Sequence, residues 1–221
     1  MSQPRIAVLI SGQGRNLQAI LDAVADGRIP AVAAGVLSNR VDAPGLPRAR
    51  AAGVPALAIA HTDYADRAGF DAALADALER LQPDFVALAG FMRVLGDDFI
   101  RRFRGRLVNI HPSLLPKYRG LNTHRRVLEA GDAEHGASVH YVTKELDGGP
   151  VAVQGRFSVQ PQDNEQTLAE RTMRDIELKI YPQALAWMAR GELRLAGGQL
   201  QFRGRELSAP LTLADLEPEF R

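Results

Sequence analysis

Five short apolar runs, separated by segments with helical spacing, constrain the fold of this chain more than any other feature. Nearly every residue in these runs is apolar, which is typical of strands covered on both faces by helices. Strands that alternate with helices predict βαβ units and a doubly wound α/β fold with a mostly parallel sheet. The predicted strands are 6–10, 32–37, 56–60, 85–89 and 107–110, and the predicted helices are 17–25, 43–52 and 70–81.

The pattern changes after residue 130. Apolar runs at 138–143 and 151–159 flank Leu146–Pro150 and predict a pair of antiparallel strands added in the C-terminal third. Residues 164–190 have the spacing of a long helix, and the strand-like residues around Gly197 and Gly198 predict a terminal hairpin. Because no repeat or linker separates these parts, we expect one domain over residues 1–221.

Composition excludes several classes of protein. The chain has 27 Lys and Arg against 26 Asp and Glu, so its charge gives no reason to expect binding to nucleic acid or to an anionic membrane. It contains no cysteine, which excludes thiolate chemistry and cysteine metal ligands and fits a reducing compartment. Its apolar stretches are too short to cross a bilayer. We therefore expect a soluble, cytoplasmic protein without nucleic-acid or membrane partners.

The end of the fifth apolar run places two polar side chains together. Asn109 and His111 are two residues apart on a predicted strand, so both point to the same face, and Pro112 ends the strand. Ligands bind at the carboxyl ends of strands in α/β sheets. An amide and an imidazole suit a developing oxyanion, and an imidazole also transfers protons. Taken alone, the pair is equally consistent with polar groups that the loop backbone satisfies.

A glycine-containing turn follows the first predicted strand. Ser11–Asn16 opens the first helix, where free backbone N–H groups and the helix dipole favour an anion. Leu17 stands where a dinucleotide site would carry its third glycine, and no acidic residue ends the second strand. The turn therefore predicts a small phosphate ester site, assisted by Arg15. A tight strand-to-helix turn without a ligand is the alternative.

Asp147 is a single carboxylate followed by two glycines and Pro150. An ordinary Asp-Gly turn explains this sequence by itself. If the loop folds over the end of the fifth strand, Asp147 faces His111 and raises its pKa, which suits acyl transfer to an amine. The other histidines lack metal-ligand spacing, so we expect no metal site and expect these side chains to be hydrogen-bonded or at the surface; they are His124, His135 and His140.

Several motifs together resemble one known family. Asn109–Pro116, followed by Leu146–Gly149, is similar to the folate-dependent formyltransferases. Three further motifs, Ser11–Ile20, Ala89–Arg93 and Glu134–His140, narrow the resemblance to the members that act in purine synthesis. The resemblance covers essentially the whole chain. It implies a Rossmann-like formyltransferase fold without a metal.

The resemblance also implies an activity and a division of labour. It implies transfer of the formyl group of 10-formyltetrahydrofolate, the co-substrate, to the amino group of glycinamide ribonucleotide in purine biosynthesis, by direct attack of the amine. Residues 1–105 would form the phosphate- and ribonucleotide-binding half, and residues 106–221 the folate-binding and catalytic half. The enzyme would work as a monomer or a homodimer.

Site residues follow from the same resemblance. The implied catalytic residues are Asn109, His111 and Asp147. The implied residues for the ribonucleotide are Gly12, Gly14, Arg15, Asn16, Arg174 and Glu177. The implied residues for the folate are Arg67, Met92, Arg93, Val94, Leu95, Asn109, Val142, Thr143 and Glu145.

The chain departs from the family pattern at two positions. Arg15 replaces a small hydroxyl residue, and Arg119 replaces a proline. The resemblance further implies a cis peptide between Leu115 and Pro116.

Two other classes of function remain open. One is a related enzyme, either methionyl-tRNA formyltransferase or formyltetrahydrofolate hydrolase, although we expect no room here for the additional domains of either. The other is a non-catalytic nucleotide-binding module that uses the same glycine turn.

Overall fold

The computed structural model describes residues 3–221 and shows an α/β fold that divides into two compact units, Met1–Asn109 and Ile110–Arg221. The strands are β1 (Arg5–Ile10), β2 (Val32–Ser38), β3 (Ala56–Ala58), β4 (Phe85–Leu88), β5 (Leu107–His111), β6 (Glu134–Tyr141), β7 (Val151–Ser158), β8 (Leu193–Ala196), β9 (Gln199–Phe202) and β10 (Arg205–Glu206). The α-helices are α1 (Arg15–Ala25), α2 (Gly45–Ala51), α3 (Arg67–Arg80), α4 (Asp97–Arg102), α5 (Thr123–Ala130), α6 (Glu165–Arg171) and α7 (Leu178–Ala189).

The first unit is a parallel sheet with the strand order β3-β2-β1-β4-β5. Its strands are the five that the apolar runs predict. The chain leaves β1 toward one side and β4 toward the other, so β1 and β4 lie at the topological switch point of the sheet. In parallel sheets ligands bind beside the carboxyl ends of the strands at this point. The segments that follow Ile10 and Leu88 are therefore the ones to inspect for a site.

Burial explains why these segments fold as they do. The residues from Ile6 to Ile10 are at most 1% exposed, as expected for a strand covered on both faces. Helix α1 turns Leu17 and Ile20 into the core at helical spacing. Asp66 caps α3 by accepting a hydrogen bond of 2.8 Å from the amide of Gly69.

In the second unit the strand order is β5-β6-β7, and β5 contributes only its last residues. Strands β6 and β7 are antiparallel and pair His140 with Val151, which confirms the predicted pair around Leu146–Pro150. Gly149 is required in the connecting loop, because a Cβ there would lie 1.8 Å from the carbonyl oxygen of Tyr141. The terminal hairpin is also confirmed, as β8, β9 and β10 form an antiparallel sheet of their own.

Three features differ from the sequence prediction. The predicted long helix is α6, a π-helical segment over Thr172–Glu177, and α7, with Pro182 inside α7. The apolar spacing of the sequence predicts neither α4 nor α5. Both are short and highly charged, so neither presents enough apolar periodicity to be recognised.

The peptide between Leu115 and Pro116 is cis, as the family resemblance implies. A search of the described helices for an apolar stretch long enough to cross a membrane gives none.

His124 and His135 form a part-buried pair in the second unit. Nδ1 of His124 and Nε2 of His135 are 2.8 Å apart, which confirms the expected hydrogen bonding. His135 is fully buried, and burial lowers its pKa to about 4. The imidazole is therefore neutral in the folded protein at neutral pH. Since an unfolded histidine titrates near 6.5, the pair stabilises the fold above that pH and loses this contribution as the pH falls toward 4.

We expect acid to destabilise the fold through His135 before most carboxylates titrate. Its pKa shift predicts a loss of about 2 to 3 kcal/mol in the free energy of unfolding between about pH 7 and about pH 4.5. Urea unfolding at the two pH values measures the loss. The control is His135→Gln, which keeps a polar group facing His124 but does not titrate. An equal loss in the variant and the unsubstituted chain would contradict the assignment.

Candidate active site

The site in the second unit is built on His111, the last residue of β5. Its side chain is almost completely buried, and Nε2 lies 3.0 Å from the carbonyl oxygen of Tyr118. A carbonyl oxygen accepts but does not donate, so Nε2 carries the proton in this contact. The other ring nitrogen, Nδ1, faces the carboxylate of Asp147 at 3.4 Å. Asn109 precedes His111 by two residues on β5 and is half-buried, so its amide points to the same face of the strand.

Asp147 reaches His111 because of the conformation of its loop. The residue has a φ of 47°, a left-handed conformation that is uncommon outside glycine. Its Oδ2 accepts a hydrogen bond of 2.9 Å from the amide of Gly120 as well as facing His111. Asp147 lies in a turn, in which the amide of Gly148 donates to the carbonyl oxygen of Glu145 at 3.0 Å. The turn places the Asp147 carboxylate against His111, so the structure brings together two of the three side chains that the resemblance implies are catalytic.

The pKa values of the two groups shift downward together. Burial lowers the pKa of His111 below its ordinary value, although the Tyr118 carbonyl and the Asp147 carboxylate both act to raise it. The expectation of a raised pKa for His111 is therefore wrong. The loss of hydration on burial destabilises the imidazolium more than the Asp147 carboxylate, 3.4 Å away, stabilises it. Burial raises the pKa of Asp147, but the contact with His140 and the Gly120 amide outweigh it and hold the pKa below its usual range.

A third side chain, His140, belongs to this cluster and was not expected there. It is buried at the end of β6, and its Nε2 lies 3.6 Å from Oδ1 of Asp147. Its Nδ1 lies 3.2 Å from the carbonyl oxygen of Tyr141. From the sequence, His140 is expected only to be hydrogen-bonded or at the surface, because it lacks metal-ligand spacing. His140 lies two residues after Ser138, so the sequence indicates that both side chains point to the same face of this strand. The sequence does not show that this face is directed toward Asp147.

The segment Lys117–Gly120 supplies the two backbone groups that contact His111 and Asp147. The Tyr118 carbonyl fixes His111, and the Gly120 amide fixes Asp147. Arg119, the residue that departs from the family pattern, forms an ion pair with Glu145 on the loop that carries Asp147. Its own carbonyl oxygen accepts a hydrogen bond of 2.7 Å from Nη1 of Arg126. The departure is thus accommodated by contacts that tie the two segments of the second unit together.

The first unit contains the glycine turn at the carboxyl end of β1. Gly14 has a φ of 71° and immediately precedes α1, and a Cβ there would lie 2.9 Å from the Cα of Gly45. Nε of Arg48 donates to the carbonyl oxygen of Gln13 at 2.9 Å. Arg15 is the first residue of α1 and is exposed. The turn thus presents the amino end of an eleven-residue helix, which is the geometry that binds phosphate groups.

The segment after β4 lies beside this turn, also in the first unit. The amide of Met92 donates to Oγ of Ser11 at 2.8 Å, and the amide of Ser11 donates to the carbonyl of Gly90 at 3.1 Å. Oγ of Ser11 in turn donates to Oδ1 of Asn39 at 2.5 Å. Met92 and Val94 are 64% and 55% exposed. These apolar side chains at the switch point of the sheet suit a ligand with an extended apolar body.

The structure also locates the remaining expected residues. In the first unit Arg67 is the first residue of α3, the Arg93 guanidinium lies 5.8 Å from the centre of the Phe70 ring, and Leu95 is buried. Gly12 is half-buried and Asn16 is buried. In the second unit the loop after β6 holds the half-buried Val142 and Thr143, whose Oγ1 donates to the carbonyl oxygen of Glu145 at 3.4 Å.

Two expected residues lie on the π-helical segment. Glu177 is buried and ends the segment. Arg174 is exposed and pairs with its neighbour Asp175 at 2.6 Å. A search for groups of three or more His, Asp or Glu side chains placed to hold a metal ion gives none within residues 3–221.

The chain is similar in sequence and in fold to known proteins. A family model described as formyl transferase matches residues 4–185. The chain is 45% identical to the phosphoribosylglycinamide formyltransferase of Haemophilus influenzae over 203 residues, which cover 92% of this chain and 95% of that protein. It is 46% identical to the Escherichia coli protein of the same name over 202 residues, with 91% and 95% covered. The structure of the Coxiella burnetii phosphoribosylglycinamide formyltransferase superposes with a TM-score of 0.90 at 45% identity, covering 96% of this chain and 99% of that one.

The coupling between Asp147 and His111 is open to a direct test. We expect the pKa of His111 to lie below its ordinary value and to fall further in Asp147→Asn, because the substitution removes a charge that favours the imidazolium. Titration of the His111 ring signals by NMR measures both values. Glu134→Gln, which removes an exposed carboxylate paired with Arg156, is the matched control. A His111 pKa that Asp147→Asn leaves unchanged would show that the two groups are not coupled.

Proposed function

This chain belongs to the formyl transferase family, and we propose that it transfers the formyl group of 10-formyltetrahydrofolate to the amino group of phosphoribosylglycinamide. It is an enzyme of purine biosynthesis that acts on small molecules and uses a formyl folate as its co-substrate. The observation that carries the proposal is the cluster at the end of β5. There His111 faces Asp147 at 3.4 Å, and Asn109 lies two residues before His111 on the same strand face.

The reaction begins when the substrate amine attacks the formyl carbon. A carbon–nitrogen bond forms, and the electron pair of the carbonyl π bond moves to oxygen. The amide of Asn109 donates a hydrogen bond to this oxyanion, as amides do in oxyanion holes. The electron pair on the oxyanion then re-forms the carbonyl π bond. At the same time the bond between the formyl carbon and N10 of the folate breaks, and its electron pair leaves with N10. No covalent enzyme intermediate is needed, because the amine attacks directly.

His111 and Asp147 manage the proton that the amine loses. With its pKa lowered by burial, His111 is mainly neutral in the resting enzyme at neutral pH. Because Nε2 donates to the Tyr118 carbonyl, the free electron pair is on Nδ1, which accepts the amine proton. The Asp147 carboxylate stabilises the resulting imidazolium. The imidazolium then helps to neutralise the oxyanion and returns the proton to N10 as the folate leaves.

The substrates have separate recognition elements in this proposal. In the first unit the glycine turn, Gly12–Asn16, binds the phosphate mainly through backbone N–H groups. The folate contacts there are Arg67 and Met92–Leu95. In the second unit the loop from Val142 to Asp147 surrounds the pteridine. The family resemblance assigns Glu177 to the ribose hydroxyls and Arg174 to the approach of the phosphate.

The decisive experiment is a transfer assay with three acceptors. Purified protein and 10-formyltetrahydrofolate are supplied with phosphoribosylglycinamide, with charged methionyl-tRNA, or with water alone. We expect rapid transfer to the ribonucleotide and negligible transfer to tRNA or water. Transfer to tRNA or hydrolysis as the fastest reaction would replace the proposed substrate. No turnover, combined with nucleotide binding, would indicate a non-catalytic module.

We further propose a cytoplasmic enzyme, monomeric or homodimeric, which works without nucleic acid, membrane or metal.

Removing the imidazole tests the role of His111. We expect His111→Ala to keep the fold and to reduce kcat by roughly two to three orders of magnitude, as for loss of one oxyanion-stabilising group. The KM values should change little, because the imidazole acts mainly in the transition state. Steady-state kinetics and a melting curve measure both effects. Near-normal turnover in a folded variant would contradict the catalytic role of His111.

Arg15 is the departure from the family that touches the proposed phosphate site. A cation at the positive end of α1 is unfavourable unless an anion is bound nearby. We therefore expect Arg15→Ser to weaken ribonucleotide binding slightly, to reduce its dependence on salt, and to leave folate binding unchanged. Calorimetry across a salt series measures these effects. Equal or tighter binding of the ribonucleotide at every salt concentration would show that Arg15 does not contact the phosphate.

A further inference from the structure

The segment from Phe91 to Gly96, called here the β4–α4 segment, has no regular secondary structure. It nevertheless presents Met92 and Val94 to solvent at the switch point of the sheet. Under the proposed function this segment contacts the folate. Exposed apolar side chains on an irregular segment tend to collapse onto the protein unless other contacts hold the backbone. The contacts at the two ends of the segment therefore decide whether it is ready to receive a ligand.

Each end is held by one side chain from the first unit. At the amino end Oγ of Ser11 accepts the hydrogen bond from the Met92 amide. At the carboxyl end Oδ2 of Asp71, on α3, accepts a hydrogen bond of 2.7 Å from the Gly96 amide. A Cβ at position 96 would lie 2.9 Å from this same oxygen, so Asp71 and Gly96 fit each other closely.

Asp71 is an unusual residue for a purely structural contact. It is 5% exposed, and its Oδ1 has no hydrogen-bond partner within residues 3–221. Burial raises its pKa, against the opposing effect of the Gly96 amide and the charges of Arg67 and Arg93. A carboxyl group with a raised pKa in the folded protein stabilises the fold when protonated, and this contribution is lost as the pH rises through that pKa. At neutral pH the ionised carboxylate is therefore less favourable to the fold than the protonated carboxyl would be.

We propose that Asp71 is a positioning residue for the folate, which acts by fixing the carboxyl end of the β4–α4 segment through the Gly96 amide. This inference rests on the proposed function, since the segment matters for catalysis if it binds the folate. Arg67 lies one helical turn before Asp71 on α3, and Arg93 lies within the segment itself. Asp71 therefore sets the position of Arg93 relative to Arg67. These two cations are the ones assigned to the folate.

The experiment compares three variants in the whole chain by direct titration with 10-formyltetrahydrofolate and by steady-state kinetics. Asp71→Ala removes the acceptor for the Gly96 amide. Asp71→Asn keeps an acceptor oxygen of the same shape but removes the charge. Asp98→Ala is the matched control, because it removes an exposed carboxylate two residues after Gly96 whose ion-pair partner is Arg101.

We expect Asp71→Ala to raise the Kd and the KM for the folate by about tenfold, as for the loss of a hydrogen bond to a charged group. The KM for the ribonucleotide and kcat should stay within about twofold. Asp71→Asn should restore folate binding to within about threefold, and Asp98→Ala should have no effect. A melting curve of each variant checks that it is folded at the assay temperature.

Four results would overturn the inference. Unchanged folate binding in Asp71→Ala would show that the Gly96 contact does not position the segment. Equal losses in Asp71→Ala and Asp71→Asn would show that the charge acts, rather than the acceptor oxygen. A lower melting temperature with parallel losses for both substrates would show a general structural role. Failure of the unsubstituted chain to bind the folate would overturn the proposed function, and the inference with it, and is distinguishable because it requires no variant.

Discussion

The catalytic geometry depends on two backbone groups that belong to one short segment. The Tyr118 carbonyl holds Nε2 of His111, and the Gly120 amide holds Oδ2 of Asp147. Because these groups are two residues apart, any shift of the segment moves His111 and Asp147 together. Arg119 lies between Tyr118 and Gly120 in sequence. Its ion pair with Glu145 joins this segment to the loop that carries Asp147. His111 and Asp147, the pair proposed to transfer the proton, are thus both held by backbone groups, which do not titrate.

Burial, rather than the neighbouring carboxylate, sets the resting charge of His111. Removal of the imidazolium from water outweighs the favourable contact with Asp147, so the pKa of His111 falls. The Asp147 carboxylate stabilises His111 more strongly once the imidazole is protonated, because a buried charge is unfavourable unless an opposite charge lies beside it. A neutral imidazole beside an ionised carboxylate is therefore suited to accept the proton of an attacking amine. This differs from a site that is charged before its substrate binds.

The first unit follows a separate physical rule. In a parallel sheet the strands that flank the switch point release their following segments at the same edge. Strands β1 and β4 pair in parallel from Ile6 and Phe85 onward, so the glycine turn and the β4–α4 segment are neighbours. Ser11 contacts both segments, and Asp71 holds the far end of the second. The glycine turn and the β4–α4 segment thus lie side by side at one sheet edge.

The sequence by itself determined the α/β class, the parallel strands and the presence of an amide and an imidazole at the end of β5, because apolar periodicity and strand alternation are local properties. It did not determine α5 or the π-helical segment, because packing against the rest of the protein, rather than local apolar spacing, stabilises these two elements. Nor did it determine that His140 joins Asp147, that Tyr118 and Gly120 hold the pair, or that Asp71 holds Gly96. These contacts join residues far apart in sequence or follow from an unusual backbone conformation. The direction of the His111 pKa was decided by the tertiary structure alone, because burial depends on everything packed around the ring and has no signature in the residues beside it.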